Sequence, residues 1–412
     1  MMNLLKNAAF GVGLMGLGAG LSLGQGMEEI RAEVLAERAE SAGGSFLPKP
    51  TEVEAGGGHV AADLERIDKN LKVGGKAMPF VFLKKGEMPE GGWPLFINLH
   101  GGGGNPRAAG PHAWEVNTRE WKAQAYLFEE VYEVSGLAFI PRMADDREGR
   151  WYFTYVQEAI DKVIEDAIQH HGVNPNRVYL TGISEGGYAG FRLASLMADR
   201  FAGSCAMAAA EPLGNAPAEN LRNVAFRCAI GEKDTTFDRI GLARTYFERL
   251  EALKKGDPKG YDFSFDPQKG RGHGIDYREG PKWIFKYTRN PVPKAVVWTV
   301  IKQHGISRKR MNWLAIDGDP GSLPLKLRAE VAEDNLIKVS AERADGTKLK
   351  GLKLRIYLPH QHLDLKKPVK IQVNGAEPIE TEFAADPAVA RKSLSERGDP
   401  AQIFFDEIVI NL

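Results

Sequence analysis

Segments with the pattern of buried strands alternate with helical segments from about Leu71 to residue 290. The strand-like segments are, in chain order, MPFVFLKK, WPLFINL, GLAFIP, RVYL, SCAMAAA, VAFRCAIG and YDFSF. On the helical segment before Gly172, apolar residues recur at the helical period: Val156, Ile160, Val163, Ile164 and Ile168. Such alternation is typical of a mostly parallel sheet with helices on both faces. The sequence therefore predicts an α/β domain over residues 71–290.

The pattern changes near Val296, after which strand-like segments follow one another without amphipathic helices between them. LKLRIYL, beginning at Leu352, alternates apolar and polar residues, and VKIQV, beginning at Val369, does the same before an Asn-Gly turn signal. This pattern predicts a smaller all-β C-terminal domain over residues 296–412. Before the α/β domain, the sequence predicts a helix and a linker rich in Gly and Pro over residues 25–70.

Residues 1–24 have the pattern of a secretory signal peptide. An apolar run follows Lys6, and the small residues Ser22 and Gly24 suit a signal-peptidase site. A membrane anchor is the alternative, but the run is short for a spanning helix and rich in glycine. We therefore expect a secreted or periplasmic protein that begins near Gln25 and has no stable membrane insertion after signal removal.

The chain has 54 lysines and arginines and 54 aspartates and glutamates, so its formal net charge is zero. A chain without net charge has no general attraction for nucleic acid or an anionic membrane. The sequence therefore predicts no nucleic-acid partner, and a local site must select the ligand.

Two cysteines, Cys205 and Cys228, lie in apolar strand-like segments. Buried free thiols are the favoured interpretation, and a disulfide between them is the alternative for an exported chain. Neither cysteine has a neighbouring histidine or carboxylate, so the sequence predicts no metal site there.

The stretch TGISEGGYAG places Ser184 between Gly182 and Gly186, directly after the strand-like RVYL and before a helical segment. G-x-S-x-G in this setting is typical of a sharp strand-to-helix turn that exposes a nucleophilic serine. The two glycines are expected because a side chain there would collide with the tight turn. A merely structural glycine turn is the alternative.

A glycine-rich loop, LHGGGGNP, follows an earlier strand-like segment. In hydrolases with the serine turn, a loop at this point supplies a backbone N–H to the oxyanion hole. We expect one donor to be the N–H of Glu185 and the other that of Gly102 or Gly103. A phosphate-binding loop is disfavoured because no Gly-Lys-Ser/Thr follows.

A serine nucleophile needs a base, and His273 in KGRGHGIDY lies where the chain order serine, acid, histidine places it. His100 is expected to support the glycine loop. His360 and His362 lie two residues apart in the C-terminal domain, without a third ligand for a metal.

The acid is expected in AIGEKDTTFDR, which offers two aspartates. Asp234 comes first after the strand and is preferred as the group that orients the histidine. Asp238 remains the alternative, with capping or pairing to Arg239 as its more ordinary role.

The motifs LHGGGG, GISEGG, GEKDTTFD and GRGHG, in this order, make residues 71–288 resemble the α/β-hydrolase superfamily. The resemblance is to exported esterases grouped with polyhydroxybutyrate depolymerases, feruloyl and acetylxylan esterases and dienelactone hydrolases. The later segments VVWTV, NWLAI and LDLKKPVKIQVNG look like the β domain appended to some exported bacterial hydrolases.

This resemblance implies a serine esterase that acts through an acyl-enzyme on small-molecule or polymer-linked esters, with polysaccharide-linked and polyester substrates as candidates. No metal or organic cofactor is required by such a mechanism. Five aromatic residues are candidates for lining its pocket, although buried core positions are the alternative: Trp114, Trp121, Trp151, Tyr152 and Tyr188.

Two other functions remain as alternatives. A prolyl-oligopeptidase-like serine peptidase shares the triad order, but it usually has a large N-terminal propeller, and the segment before Leu71 is too short for one. A glycan-binding surface protein with a non-catalytic hydrolase scaffold is the second, and the complete triad argues against it.

Overall fold

The computed structural model describes residues 4–5, 23–54 and 70–412. Most of the predicted signal peptide (residues 6–22) and part of the predicted linker (residues 55–69) lie outside these ranges. Within them, no helix has both the length and the apolar character needed to cross a membrane.

The chain divides into two compact units. The α/β unit consists of Ser45–Asn290 and Gln303–Ile306. The β unit consists of Met1–Gly44, Pro291–Lys302 and Ser307–Leu412. The helix and the linker that the sequence predicts before the α/β domain are thus divided between the two units.

Strands and helices are numbered in chain order. The strands are β1 (Leu4–Leu5), β2 (Thr51–Val53), β3 (Asn70–Val73), β4 (Lys76–Lys85), β5 (Trp93–Leu99), β6 (Gly136–Pro141), β7 (Val173–Ile183), β8 (Gly203–Met207), β9 (Ala225–Gly231), β10 (Phe263–Gln268), β11 (Ala295–Val300), β12 (Arg310–Met311), β13 (Leu314–Asp317), β14 (Leu325–Val331), β15 (Leu336–Arg343), β16 (Lys353–Tyr357), β17 (Val369–Val373), β18 (Ile379–Thr381) and β19 (Glu407–Asn411). The α-helices are α1 (Leu23–Ser41), α2 (Glu115–Tyr126), α3 (Thr154–His170), α4 (Glu185–Leu196), α5 (Arg239–Gly256), α6 (Glu279–Ile284) and α7 (Pro387–Arg397).

The α/β unit is built on one large sheet with the strand order β10-β9-β8-β7-β5-β6-β4-β2, and β3 pairs with β4. Along this order β4 is antiparallel to β6, and the other neighbouring pairs are parallel. Helices connect the parallel strands, as the alternating sequence predicts. The predicted fold class is therefore confirmed, and the arrangement fits the α/β-hydrolase fold.

Apolar side chains cover this sheet on both faces. Strands β8 and β9 are buried at every residue, which requires cover above and below the sheet. Phe96 of β5 stacks on Tyr179 of β7 with ring centroids 5.0 Å apart. A second aromatic cluster joins Phe226 of β9 to Phe191 of α4 and Tyr246 of α5. The central strands therefore form a rigid base for the loops at their ends.

The β unit contains two further sheets, with the orders β11-β14-β15-β17-β18 and β1-β19-β16-β13-β12. Strands β14 and β15 alternate between buried and more exposed residues, as the two-residue sequence pattern predicts. The pairs within these sheets are antiparallel except β15 with β17.

The β unit also contains helices α1 and α7, and the strand pattern of the C-terminal segment did not predict α7. Its end signals are present in the sequence: the Asp386 side chain accepts a hydrogen bond from the Ala388 N–H, and Gly398 ends the helix in a left-handed conformation. Arg391 of α7 pairs with Glu37 of α1 at 2.7 Å. The C-terminal segment is thus not purely β.

Candidate functional site

Ser184 occupies the turn between strand β7 and helix α4. Its backbone has φ 54° and ψ −110°, a conformation that non-glycine residues rarely adopt. The Ser184 N–H donates to the Met207 carbonyl oxygen at 2.8 Å, and its carbonyl oxygen accepts from the Tyr188 N–H at 3.0 Å. These bonds hold the strained turn in place and leave the serine side chain partly exposed.

The two flanking glycines are required by close backbone contacts. A Cβ atom on Gly182 would overlap the carbonyl oxygen of Gly186. A Cβ atom on Gly186 would overlap the carbonyl oxygen of Leu99, the last residue of β5. The Gly186 N–H also donates to the His100 carbonyl oxygen at 3.1 Å. The turn and the glycine-rich loop after β5 are therefore packed backbone to backbone.

The structure brings together the three residues that the sequence predicts as a triad. His273 Nε2 lies 3.0 Å from Ser184 Oγ, and His273 Nδ1 lies 2.7 Å from Asp234 Oδ2. In the tautomer that fits this geometry, the serine hydroxyl donates to Nε2 and Nδ1–H donates to the carboxylate. Asp234 is buried, whereas the His273 side chain is 46% exposed. The arrangement can carry a proton from the serine to an imidazole that a carboxylate orients.

Asp234, rather than Asp238, is the aspartate bonded to the histidine. Its second oxygen, Oδ1, accepts from Arg239 Nη1 at 2.9 Å. Arg239 Nε in turn donates to the Tyr188 hydroxyl at 2.7 Å. Asp238 has a left-handed backbone at the start of α5, and its side chain makes no capping hydrogen bond. The prediction that Asp238 caps a helix or pairs with Arg239 is therefore wrong, because Arg239 pairs with Asp234 instead.

The glycine-rich loop passes directly beside the serine. A Cβ atom built on Gly101 would lie 3.4 Å from Ser184 Cβ. Gly102 has φ +96°, and a Cβ atom there would overlap Oδ1 of Asn117. The Gly103 N–H donates to Asn117 Oδ1 at 3.2 Å, whereas no partner of the Gly102 N–H occurs among the described residues. Of the two loop amides that the sequence nominated, Gly102 is the one without a partner.

Buried polar side chains hold this loop in position. Asn117 Nδ2 donates to the Gly103 carbonyl oxygen at 3.2 Å and to Asp146 Oδ1 at 2.9 Å. Asp146 in turn accepts two hydrogen bonds from Arg142, each 2.8 Å long. Sequence reasoning missed this network, because an asparagine within the first turns of a helix carries no signal of a contact with a distant loop.

His100 supports the loop, as its sequence position suggests. Its Nδ1–H donates to the Gly101 carbonyl oxygen, and its Nε2 accepts from the Met143 N–H at 3.2 Å. Burial lowers the pKa of His100 to about 3, so the ring stays neutral. Trp151 Nε1–H donates to the His100 carbonyl oxygen at 2.9 Å.

The aromatic candidates for a pocket separate into two groups. Trp121 and Trp151 are buried and belong to the core and the loop support, so their proposed place in a pocket is wrong. Trp114 lines a cavity of about 700 Å³ together with Val116 and five other residues of this segment. A Cβ atom on Gly102 would lie 3.6 Å from Val116 Cγ1, so this cavity borders the glycine-rich loop.

Tyr152 and Tyr188 are partly buried and engaged by arginines. The guanidinium carbon of Arg192 lies 4.0 Å from the centre of the Tyr152 ring. The Tyr188 hydroxyl accepts from Arg239, as described above. Both rings are therefore held in place rather than free to adapt to a ligand.

Charged side chains lie beside the nucleophile. Glu185, the residue after Ser184, is 9% exposed, and its carboxylate lies 3.5 Å from Arg150 Nε. Burial raises the pKa of Glu185 to about 7, and the nearby Arg150 opposes this rise. Glu185 therefore changes its charge near neutral pH, directly beside the serine.

The sequence analysis also singled out two histidines of the β unit and two cysteines of the α/β unit. His360 and His362 form a short 3₁₀ turn in the β unit instead of a strand, and His362 Nε2 is 2.7 Å from the Val292 carbonyl oxygen. Cys205 and Cys228 are free and buried, and burial raises the pKa of both thiols.

Comparisons with known proteins found matches among solved structures but none among family models or curated proteins. A thermostable esterase shares 18% identity and a TM-score of 0.38 over 52% of this chain and 60% of its own. Esterase 2 of Thermogutta terrifontis, phosphorylated by paraoxon, shares 15% identity and a TM-score of 0.37 over 52% of this chain and 88% of its own.

A protein of Bacteroides ovatus described as a dipeptidyl aminopeptidase IV shares 14% identity and a TM-score of 0.38 over 53% of this chain and 34% of its own. This chain thus spans 60% of the thermostable esterase and a third of the aminopeptidase. The roles of the site residues must be argued from their own geometry.

Replacing Asn117 with alanine should destabilise the protein. The Gly103 N–H and carbonyl oxygen and the Asp146 carboxylate would each lose a buried partner, so the free energy of unfolding should fall by about 1–3 kcal/mol. Denaturant unfolding measures this change. The control Asn105→Ala removes a more exposed asparagine from the same loop and should change the free energy by less than about 0.5 kcal/mol. Equal effects of the two substitutions would contradict the clamping role of Asn117.

Proposed function

We propose that this protein is a serine hydrolase that cleaves carboxylic esters through an acyl-enzyme intermediate. The observation that carries the proposal is the chain Ser184 Oγ, His273, Asp234, with contacts of 3.0 Å and 2.7 Å, on a strained turn beside a glycine-rich loop. A nucleophile, a base within hydrogen-bond reach and a group that orients the base are the parts that acyl transfer needs. The resemblance of the four motifs to those of exported esterases supports ester substrates.

In the acylation step, Ser184 Oγ attacks the ester carbonyl carbon while its proton passes to His273 Nε2. A bond forms between Oγ and the carbon, and the carbonyl oxygen becomes an oxyanion. When the bond between the carbon and the alcohol oxygen breaks, the alcohol takes the proton from Nε2 and leaves. Asp234 accepts the Nδ1–H bond throughout and stabilises the imidazolium that forms between the two transfers.

The oxyanion is stabilised by two backbone N–H groups. Glu185 N–H is the first amide of helix α4 and belongs to the donors that a helix leaves unpaired at its N-terminus. Gly102 supplies the second donor, since the Gly103 N–H already donates to Asn117. Amides fixed in advance stabilise the developing charge without reorganisation during the reaction.

Deacylation repeats the proton transfers with water. His273 Nε2 takes a proton from water as the water oxygen attacks the acyl carbon, and the proton then returns to Ser184 Oγ when the bond between serine and the acyl group breaks. The chemistry is complete with the groups named, so it requires no metal or organic cofactor. The Arg239 contact keeps Asp234 turned toward the histidine.

We further propose that the substrates include polysaccharide-linked or polyester groups. The cavity of about 700 Å³ lined in part by Trp114 supports this, because Val116, another of its lining residues, lies next to Gly102 of the glycine-rich loop. An aromatic ring at the edge of a cavity is suited to packing against a sugar ring or a repeating ester unit.

Replacing Ser184 with alanine should lower hydrolysis of 4-nitrophenyl butyrate by at least about 10³-fold, because no other group can form the acyl-enzyme. Turnover is measured by nitrophenolate release, and intact-protein mass shows the acyl adduct. The control Ser195→Ala removes a buried serine of the same helix and should retain activity. Near-normal turnover in Ser184→Ala would overturn the mechanism. Faster wild-type turnover of peptide anilides than of aryl esters would identify a peptidase.

Asp234→Asn should lower kcat by about 10³- to 10⁴-fold, because the amide cannot accept the Nδ1–H bond with a negative charge and favours the wrong tautomer. Asp238→Asn is the matched control, since it changes the neighbouring aspartate that does not contact His273. It should change kcat less than about threefold. The two variants are compared on the same aryl ester, and a large loss in Asp238→Asn alone would reverse the assignment of the acid.

We also propose that the protein is exported, on the support of the signal-peptide pattern in residues 1–24. Cleavage near Gln25 would remove the two-residue edge strand β1 and the first residues of helix α1, which begins at Leu23, and would retain the buried residues Met27, Ile30 and Val34. N-terminal sequencing of protein secreted by an exporting host should give a start close to Gln25. An intact Met1 on protein retained in the cytoplasm would disprove export.

A further inference from the structure

We propose that Arg150 forms a subsite for acyl groups that end in a carboxylate, so that half-esters of dicarboxylic acids are preferred substrates. The proposal rests on the esterase function above and specifies its substrate class. Arg150 lies in the α/β unit beside the glycine-rich loop, and the mechanism described so far does not use its side chain.

The guanidinium of Arg150 lies directly against the loop that supplies an oxyanion donor. A Cβ atom built on Gly103 would be only 2.8 Å from Arg150 Nη1. The Arg150 side chain is 38% exposed, so a ligand can reach it. Nη1 donates to the Gly149 carbonyl oxygen at 2.9 Å, and no hydrogen bond of Nη2 occurs among the described residues. Donors therefore remain for an incoming anion.

Among the described residues, Glu185 is the carboxylate that pairs with Arg150, and it balances the charge of the guanidinium incompletely. Glu185 Oε1 is 3.5 Å from Arg150 Nε, which is longer than a strong charge-assisted hydrogen bond. The raised pKa of Glu185, about 7, leaves about half of these carboxyl groups uncharged at neutral pH. Burial is the main cause, and Glu211 adds to the rise while Arg150 and Arg192 oppose it.

Two neighbouring arginines, Arg192 and Arg147, differ from Arg150 because each donates two hydrogen bonds to one carboxylate. Arg192 donates to both carboxylate oxygens of Glu211, at 2.5 Å and 3.0 Å, and to Gln303 Oε1 at 3.0 Å. Arg147 makes two hydrogen bonds, each 3.1 Å long, to Asp145. Of these three arginines, Arg150 is therefore the one without a two-pronged hydrogen bond to a carboxylate.

The position of Arg150 favours contact with the acyl half of the ester rather than with the alcohol half. The leaving alcohol oxygen must lie within reach of His273 Nε2, which protonates it. Arg150 instead contacts Gly103 and Glu185, on the side of the oxyanion donors. A group that reaches Arg150 therefore extends from the carbonyl carbon away from the histidine. A carboxylate is the matching terminal group because its two oxygens can accept from adjacent guanidinium N–H groups.

The test compares two aryl esters of the same acyl chain. One is the 4-nitrophenyl monoester of adipic acid, and the other is the same compound with its free carboxylate converted to a methyl ester. The measured quantity is the ratio of kcat/KM for the charged ester to that for the neutral ester. Wild type should favour the charged ester, and Arg150→Met should lower the ratio about tenfold, because charge-assisted hydrogen bonds are lost.

Two further variants control for general effects of the substitution. Arg150→Lys keeps a positive charge but loses the two-pronged geometry, so its ratio should lie between those of wild type and Arg150→Met. Arg147→Met removes a similarly exposed arginine of the same segment that is paired with Asp145. It should leave the ratio at the wild-type value.

The ratio should also depend on pH. Below pH 7 Glu185 is mostly neutral and leaves Arg150 free to attract the substrate carboxylate, so the ratio should be higher at pH 6 than at pH 8. An effect of pH on the chemical step itself is common to both esters and cancels in the ratio. Glu185→Gln should make the ratio nearly independent of pH over this range, because the competing negative charge is absent.

An unchanged ratio in Arg150→Met, or a wild-type preference for the neutral ester, would overturn the subsite. Neither result bears on the esterase function, which fails only when wild type releases nitrophenolate from neither ester. The two proposals are therefore separated by the same set of measurements.

Discussion

The backbone contacts around Ser184 are the constraint on which the site depends. Gly182 and Gly186 leave no room for a Cβ atom, so strand β7, helix α4 and the end of β5 approach one another backbone to backbone. This packing holds Ser184 at a positive φ that an isolated turn would not keep. The end of β5 continues into His100 and the glycine-rich loop. One set of contacts therefore fixes both Ser184 and its distance from the amides proposed as oxyanion donors.

The parallel sheet brings the other groups to the same edge. The glycine-rich loop, the serine, the acid and the histidine follow strands β5, β7, β9 and β10, and these strands run in one direction. Strands β9 and β8 lie between β10 and β7, so the histidine loop must extend back across the sheet. Gly231 at the end of β9 permits this, since a Cβ atom there would overlap the Gly272 carbonyl oxygen. Gly231, the first residue of the GEKDTTFD motif, thus helps to place His273.

The sequence predicted the large sheet because its strands are largely apolar and alternate with helical segments, and it predicted the triad because each member lies in a turn or loop that follows a strand. It did not predict contacts between residues that are far apart in the sequence. It also did not predict where a local change of backbone conformation gives a side chain a different partner. Arg239 seemed to be the partner of its neighbour Asp238, but the left-handed turn at Asp238 leaves Asp234 to accept the guanidinium. Asn117 reaches Gly103 from within a helix, and no residue pattern marks that contact.

Burial has a larger effect on the pKa of Glu185 than the nearby charges have. A carboxylate in the first turn of a helix is stabilised by the helix dipole, and Arg150 adds a nearby positive charge. Both effects favour the ionised form, yet the pKa is raised, so the cost of removing the charge from water exceeds them. An ionised Glu185 would oppose the positive potential that its own N–H offers to the oxyanion. A neutral Glu185 leaves that potential intact, so burial at this position favours the form that suits the chemistry proposed for the adjacent serine.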